Sequence, residues 1–190
     1  MNFTDPVLRE MLASEYGPIF LEAGVALRED LLYRKSTLHG VGHIRRVMAL
    51  GAIIAMQQKL PLRDACLLLL ACSYHDIGRI NDYADARHGE RGSGMLEPDL
   101  IPELKAISSD ELACLKAAIA APSTDDSSIT RFMAMYNGPD DMEKCCIILM
   151  KCLKDADGLD RIRFDGLDPR YLRFEESKTL LNTAEYLLTI

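Results

Sequence analysis

The 190-residue chain shows no alternating apolar and polar run that would read as a strand, no internal repeat and no low-complexity tract. A helical fold is therefore predicted almost throughout. No window of about 18 residues is both apolar and free of charge, and Met1-Asn2-Phe3-Thr4-Asp5-Pro6 has no basic stretch leading into an apolar one. The expectation is a cytoplasmic protein that does not enter a membrane. An excess of positive charge is missing too: 22 Lys and Arg stand against 29 Asp and Glu, for a net charge of -7. That balance argues against a nucleic-acid polymer or an anionic membrane as the main partner. Small phosphorylated molecules remain open, because a metal and a few arginines can reverse the sign locally. The six cysteines form no CxxC pattern, and five of them fall in apolar helical patterns, so buried free thiols are expected. Adjacent Cys145 and Cys146 would point about 100° apart on a helix, which disfavours a shared zinc site there.

At 48% hydrophobic residues, the chain is long enough to bury a substantial core, and residues 1–190 are expected to form one domain. Periodicity places one or two helices over 6–35 with a break at Gly17-Pro18, another over 41–59, and a buried one over 62–76 capped by Gly78. The stretch 79–94 reads as a loop with at most a short helix, in which Gly89, Gly92 and Gly94 make turns. Further helices are expected over 109–121, 140–160 and 175–188, with Pro122, Gly138-Pro139 and 166–169 as punctuation. The apolar positions Leu180, Leu181, Leu187 and Leu188 of the last helix could cover the bundle or support a homo-oligomer.

The pair His75-Asp76 closes the apolar run Leu67-Leu68-Leu69-Leu70-Ala71-Cys72, and burying imidazole and carboxylate without a partner costs several kcal/mol. A divalent cation is the economical partner, and the C-terminal end of a helix favours it. All four histidines, His39, His43, His75 and His88, fall within one stretch of 50 residues. His43 is in register with Val47, Leu50 and Ile54, an apolar stripe that begins with an imidazole. Asp157 is the charged member of a stripe with Cys146, Met150 and Leu153, whereas Asp155 follows Lys144, Ile148 and Lys151 on a more polar face where water suffices. The candidate metal ligands are therefore His43, His75, Asp76 and Asp157. Two nitrogens and two carboxylates suit Mn, Fe, Mg, Zn, Co or Ni without choosing among them. Asp155-Ala156-Asp157-Gly158-Leu159-Asp160 is not an EF-hand loop, since its glycine stands at the fourth position.

The order of His43-Ile44-Arg45-Arg46-Val47, Tyr74-His75-Asp76-Ile77-Gly78-Arg79 and Asp155-Ala156-Asp157-Gly158-Leu159-Asp160 resembles the HD-domain superfamily of metal-dependent phosphohydrolases, over roughly residues 38–163. The resemblance implies an all-α bundle of the HD type with a central metal site, packed by N-terminal helices over 6–36 and a C-terminal helix over 175–188. It also implies hydrolysis of a phosphomonoester or phosphodiester of a small molecule, often a nucleotide. Asp76 and His88 are the candidate proton handlers, and Arg79 is a third catalytic candidate. Arg46, Arg79 and His88 are candidates for holding the substrate. His88-Gly89-Glu90-Arg91-Gly92-Ser93 resembles the segment in which many members place an extra histidine for a second metal or for substrate. No histidine stands in the region 118–126, so one metal position is expected and the second is incomplete, with Asp125 or Asp126 as oxygen substitutes. His39 is expected to be structural or a partner of a ligand. The competing class is a non-catalytic HD-like module that binds a nucleotide or serves regulation; di-iron oxygenase chemistry needs more histidines than are present.

Overall fold

Asp5 accepts a hydrogen bond from the Leu8 amide and Pro6 supplies a fixed φ, so α1 (Pro6–Ala13) starts where a capped helix should. The computed structural model describes residues 3–33, 36, 38–121, 126–135, 142–164 and 166–190; no strand occurs among them. The expected breaks at Pro122 and Gly138-Pro139 lie outside the described residues. Helix α2 (Tyr16–Ala26) begins two residues before Pro18, so the break falls at Ser14-Glu15 and not at Gly17-Pro18. Proline is tolerated there because a first-turn amide has no intrahelical acceptor.

Helices α3 (Val41–Gln57), α4 (Leu62–Tyr74) and α8 (Glu143–Asp160) pack on one another as the centre of the bundle. Helix α6 (Ser109–Ala120) carries a reciprocal cap between Ser108 and Glu111 and lies against α4 and α8. The short helices α7 (Ile129–Met135), α9 (Glu175–Lys178) and α10 (Leu181–Leu187) lie further along the chain. The predicted helix over 175–188 is thus two pieces, parted by a turn at Thr179-Leu180. The buried apolar side chains, from Leu8 to Leu187, form one contiguous cluster. Among the described residues, no helix is long and apolar enough to cross a membrane.

Helix α4 stops at Tyr74, and His75, Asp76, Ile77 and Gly78 follow in consecutive turns. Gly78 does not cap the helix in a left-handed conformation, because no glycine among the described residues has positive φ. Its role is close approach: a Cβ there would meet the His88 carbonyl oxygen at 2.2 Å and the Gly92 amide at 2.4 Å. This contact seats α5 (His88–Gly94) directly over the His75-Asp76 turn. Gly89 and Gly92, expected to make turns, are buried within α5, where a Cβ on Gly89 would meet the Ile119 carbonyl oxygen of α6 at 2.5 Å.

The cysteines depart in part from expectation. Cys114 of α6 and Cys146 of α8 are paired, with Cα atoms 5.1 Å apart, whereas Cys66, Cys72, Cys145 and Cys152 are free thiols. Burial raises the thiols of Cys152 and Cys145, to about 12 and about 11.

Candidate metal centre

His75 follows α4 directly, and its Nδ1 lies 3.0 Å from the Cys72 carbonyl oxygen. A carbonyl can only accept, so Nδ1 carries the proton and satisfies an orphan carbonyl at the helix end. In the neutral ring Nε2 is then a bare lone pair. His43, in the first turn of α3, behaves alike: its Nδ1 is 2.7 Å from Oδ2 of Asp160, which leaves Nε2 facing the same point.

The two Nε2 atoms are 3.3 Å apart. Oδ2 of Asp76 stands 3.5 Å from Nε2 of His43 and 3.7 Å from Nε2 of His75, and Oδ1 of Asp157 stands 3.4 Å from the former and 3.8 Å from the latter. Two lone pairs and two carboxylates cannot converge like this unless something positive sits among them. Ligand atoms bound to one cation at about 2.0–2.2 Å lie roughly 3.0–3.5 Å apart; the separations of His43 Nε2 fall in that range, and those from His75 Nε2 to the two carboxylates exceed it by only a few tenths of an ångström. His43, His75 and Asp76 are buried, while the Asp157 side chain is 37% exposed and forms the open wall. The donor set therefore fits a divalent cation. Two overlapping three-residue groups lie close enough to share a cation, His43 with His75 and Asp157, and His43 with His39 and Asp76.

Burial alone would push the His43 imidazole down, but the hydrogen bonds to Asp160 and Asp76 and the charge of Asp157 outweigh it and raise the pKa to about 9. Burial would raise Asp76, yet its contacts with His75, His39 and His43 hold it well below the usual carboxylate range. A cation must accordingly displace a proton from His43. Metal binding is expected to release a proton and to tighten as pH rises from about 6 to about 9, as paired calorimetry in two buffers would measure. Because the folded pKa exceeds the unfolded one, protonated His43 stabilises the metal-free protein fully below the ordinary histidine value, and this contribution is lost as pH rises through about 9. The midpoint of thermal unfolding in chelator should fall over that interval. A flat profile would show that the proton is not held there.

Around the ligands lies a ring of partners. Asp160, which the sequence leaves unmarked, is the hub: besides His43 it accepts from Arg46 Nε at 2.6 Å, Arg46 Nη2 at 3.1 Å and Arg163 Nη1 at 2.7 Å. Its place at i+3 from Asp157, on the same helix, was the available signal. Arg46 is predicted to hold phosphate; its Nε and Nη2 both donate to Asp160, the carboxylate that meets His43. Arg79 donates through Nε to Oδ1 of Asp76 at 3.0 Å and through Nη1 to the Tyr83 carbonyl at 3.3 Å, leaving Nη2 uncommitted among the described residues. His39 Nδ1 is 2.9 Å from Oδ2 of Asp76, as a ligand's partner would be.

His88 begins α5, donates from Nδ1 to the Asp85 carbonyl, and presents Nε2 to Oδ1 of Asp76 at 3.3 Å. Burial lowers its pKa, so the ring is neutral near pH 7. His88 belongs to neither three-residue cation group. Asp126, offered as a substitute ligand, is engaged elsewhere, 2.6 Å from Lys154 and 2.9 Å from Arg173; Asp125 lies outside the described residues.

The choice between Asp155 and Asp157 has a different reason from the predicted one. Asp155 is not on a polar face but fully buried, accepting from the amides of Arg173 at 2.9 Å and Phe174 at 3.0 Å. The returning chain covers that side of α8. Asp155→Asn is expected to destabilise the protein by about 1–3 kcal/mol while metal per chain stays unchanged. Thermal unfolding with metal analysis checks both, and loss of metal would contradict the assignment.

The protein is a helical bundle that buries two histidines and an aspartate around one point, with a second aspartate at the rim, a set of groups that could hold a cation. The family model described as HD domain matches residues 40–162, and the chain belongs to the HD-domain superfamily. No curated protein and no solved structure matches it significantly.

Proposed function

We propose that this protein is a metal-dependent phosphohydrolase that cleaves a phosphate ester of a small molecule, a nucleotide being the favoured class, in the cytoplasm. The observation that carries the reading is the convergence of two Nε2 lone pairs on two carboxylates, with both Nδ1 protons tied down. His43, His75, Asp76 and Asp157 would hold the cation. When bound, a divalent cation supplies an acidified water and polarises a phosphoryl oxygen.

The chain's own groups do the rest. Asp76 stays ionised and cannot act as an acid near neutrality, so His88, neutral and 3.3 Å from Asp76, is the group that takes up or returns a proton. Arg79 orients Asp76 through Nε, and its Nη2 remains for a phosphoryl oxygen. Asp160, fixed by Arg46 and Arg163, keeps the His43 proton on Nδ1. The turn over 75–78 and the seat of α5 shield the buried side of the centre from water.

The test is metal content of the purified chain together with hydrolysis of phosphomonoesters and phosphodiesters under Mn, Mg, Co, Fe, Zn or Ni. One equivalent of metal with turnover supports the reading. Metal without turnover favours the binding module, and no metal under any loading condition removes the centre.

A further inference from the structure

A cavity of about 390 Å³ opens between α2, α4 and the short helical turn Pro102–Ala106, and none of the four candidate metal ligands lines it. That size lies within the range of small-ligand sites, about 300–1,000 Å³. Ile19 of α2, Leu70 of α4 and Ile107 supply an apolar wall, and all three remain only partly buried although they pack on the core. Glu103, half-buried, also stands in the wall. Its Oε2 is shut off from solvent and has no hydrogen-bond partner among the described residues. A buried carboxylate oxygen left without a donor is costly, so a group that brings one is held strongly.

The charges around the cavity decide the sign of that group. Arg63 stands in the wall, but its Nε and Nη2 meet the two oxygens of Glu111 at 2.6 Å, and Nη2 also reaches the Ala106 carbonyl at 2.9 Å. Arg28, close enough to sense the charge of Glu103, is bound through Nε and Nη2 to Asp30 and through Nη1 to the Leu100 carbonyl. Glu22, at the exposed edge of the cavity, adds a second carboxylate. We propose that this cavity is a second binding site, separate from the cation centre, for a small organic ammonium ion. Its apolar body lies against Ile19, Leu70 and Ile107, its ammonium donates to Oε2 of Glu103, and Glu22 keeps the entrance negative. A charged donor is favoured over a neutral one because a charge-assisted hydrogen bond is about twice as strong, and an anion is repelled by both carboxylates. The site does not depend on the phosphohydrolase reading of the centre.

The test is calorimetric titration of the full chain, near neutral pH where an amine is charged, with three probes of equal length: hexylamine, 1-hexanol and hexanoate. Hexylamine should bind about tenfold more tightly than 1-hexanol, and hexanoate should show no saturable binding. Glu103→Gln keeps the shape and removes the charge, so it should weaken hexylamine about tenfold and change 1-hexanol by no more than about twofold. Metal per chain should be the same in that variant, which separates loss of this site from loss of the cation centre. Cys66 lines the cavity as a free, half-buried thiol and reports where the probe sits. With Cys145→Ser removing the other half-buried thiol, hexylamine at about ten times its Kd should slow the reaction of Cys66 with a thiol reagent about tenfold. Equal affinity for hexylamine and 1-hexanol, a hexylamine affinity indifferent to Glu103→Gln, or unprotected Cys66 overturns the proposal, as does the absence of saturable hexylamine binding.

Discussion

Asp76→Asn is expected to lower metal affinity by more than the roughly 10–100-fold that loss of an outer partner costs, and to take hydrolysis with it. The substitution keeps the volume of the side chain, so no cavity forms, but it removes the charge on which the centre depends. Oδ2 of Asp76 faces both Nε2 atoms and His39, while Oδ1 receives Arg79 and faces His88. With a neutral amide in that place, the Arg79 guanidinium adds uncompensated positive charge a few ångströms from the cation. Metal per chain after dialysis, measured by mass spectrometry, and turnover with saturating metal separate the two consequences. Retention of both would remove Asp76 from the centre.

Asp160→Asn should produce the largest loss of stability at a position that touches no substrate. The carboxylate is 1% exposed and neutralises Arg46 and Arg163 while fixing His43. Burial opposes its charge, but those partners hold its pKa below the usual carboxylate value. Removing one member of a buried ionic cluster costs about 3–5 kcal/mol, because the remaining charges stay buried and unpaired. For a chain of this length that corresponds to a fall in Tm of roughly 10 °C. The freed imidazole can also turn, so metal affinity should drop about 10–100-fold even in the fraction that stays folded. Unfolding followed in parallel with metal titration distinguishes a structural loss from a loss of ligand orientation. An unchanged Tm would show that Arg46 and Arg163 find other partners.

Much of the centre could be read from the chain because its residues obey local rules. His75-Asp76 is conspicuous where it ends an apolar run, His43 opens an apolar stripe, and the helices around them follow a 3.6-residue period that periodic burial enforces. The identity of a helix and the sign of its faces are properties of short stretches of sequence. The HD-domain assignment followed from three such stretches in order.

What the chain could not disclose depended on which surfaces meet. The side of α8 that carries Asp155 looks polar along the sequence but is covered by residues 173 and 174, whose amides need an acceptor. Arg46 and Arg79 stand beside predicted ligands, and only the folded arrangement shows that Asp160 and Asp76 take up most of their donors. Gly78 reads as a helix cap, whereas its missing side chain admits α5, a contact between segments ten or more residues apart. Sequence determined the helices and the order of the candidate ligands, because propensity and amphipathic period act within a few turns. Tertiary structure decided which charges are neutralised and by which partners, because pairing depends on distances across elements that no local pattern encodes.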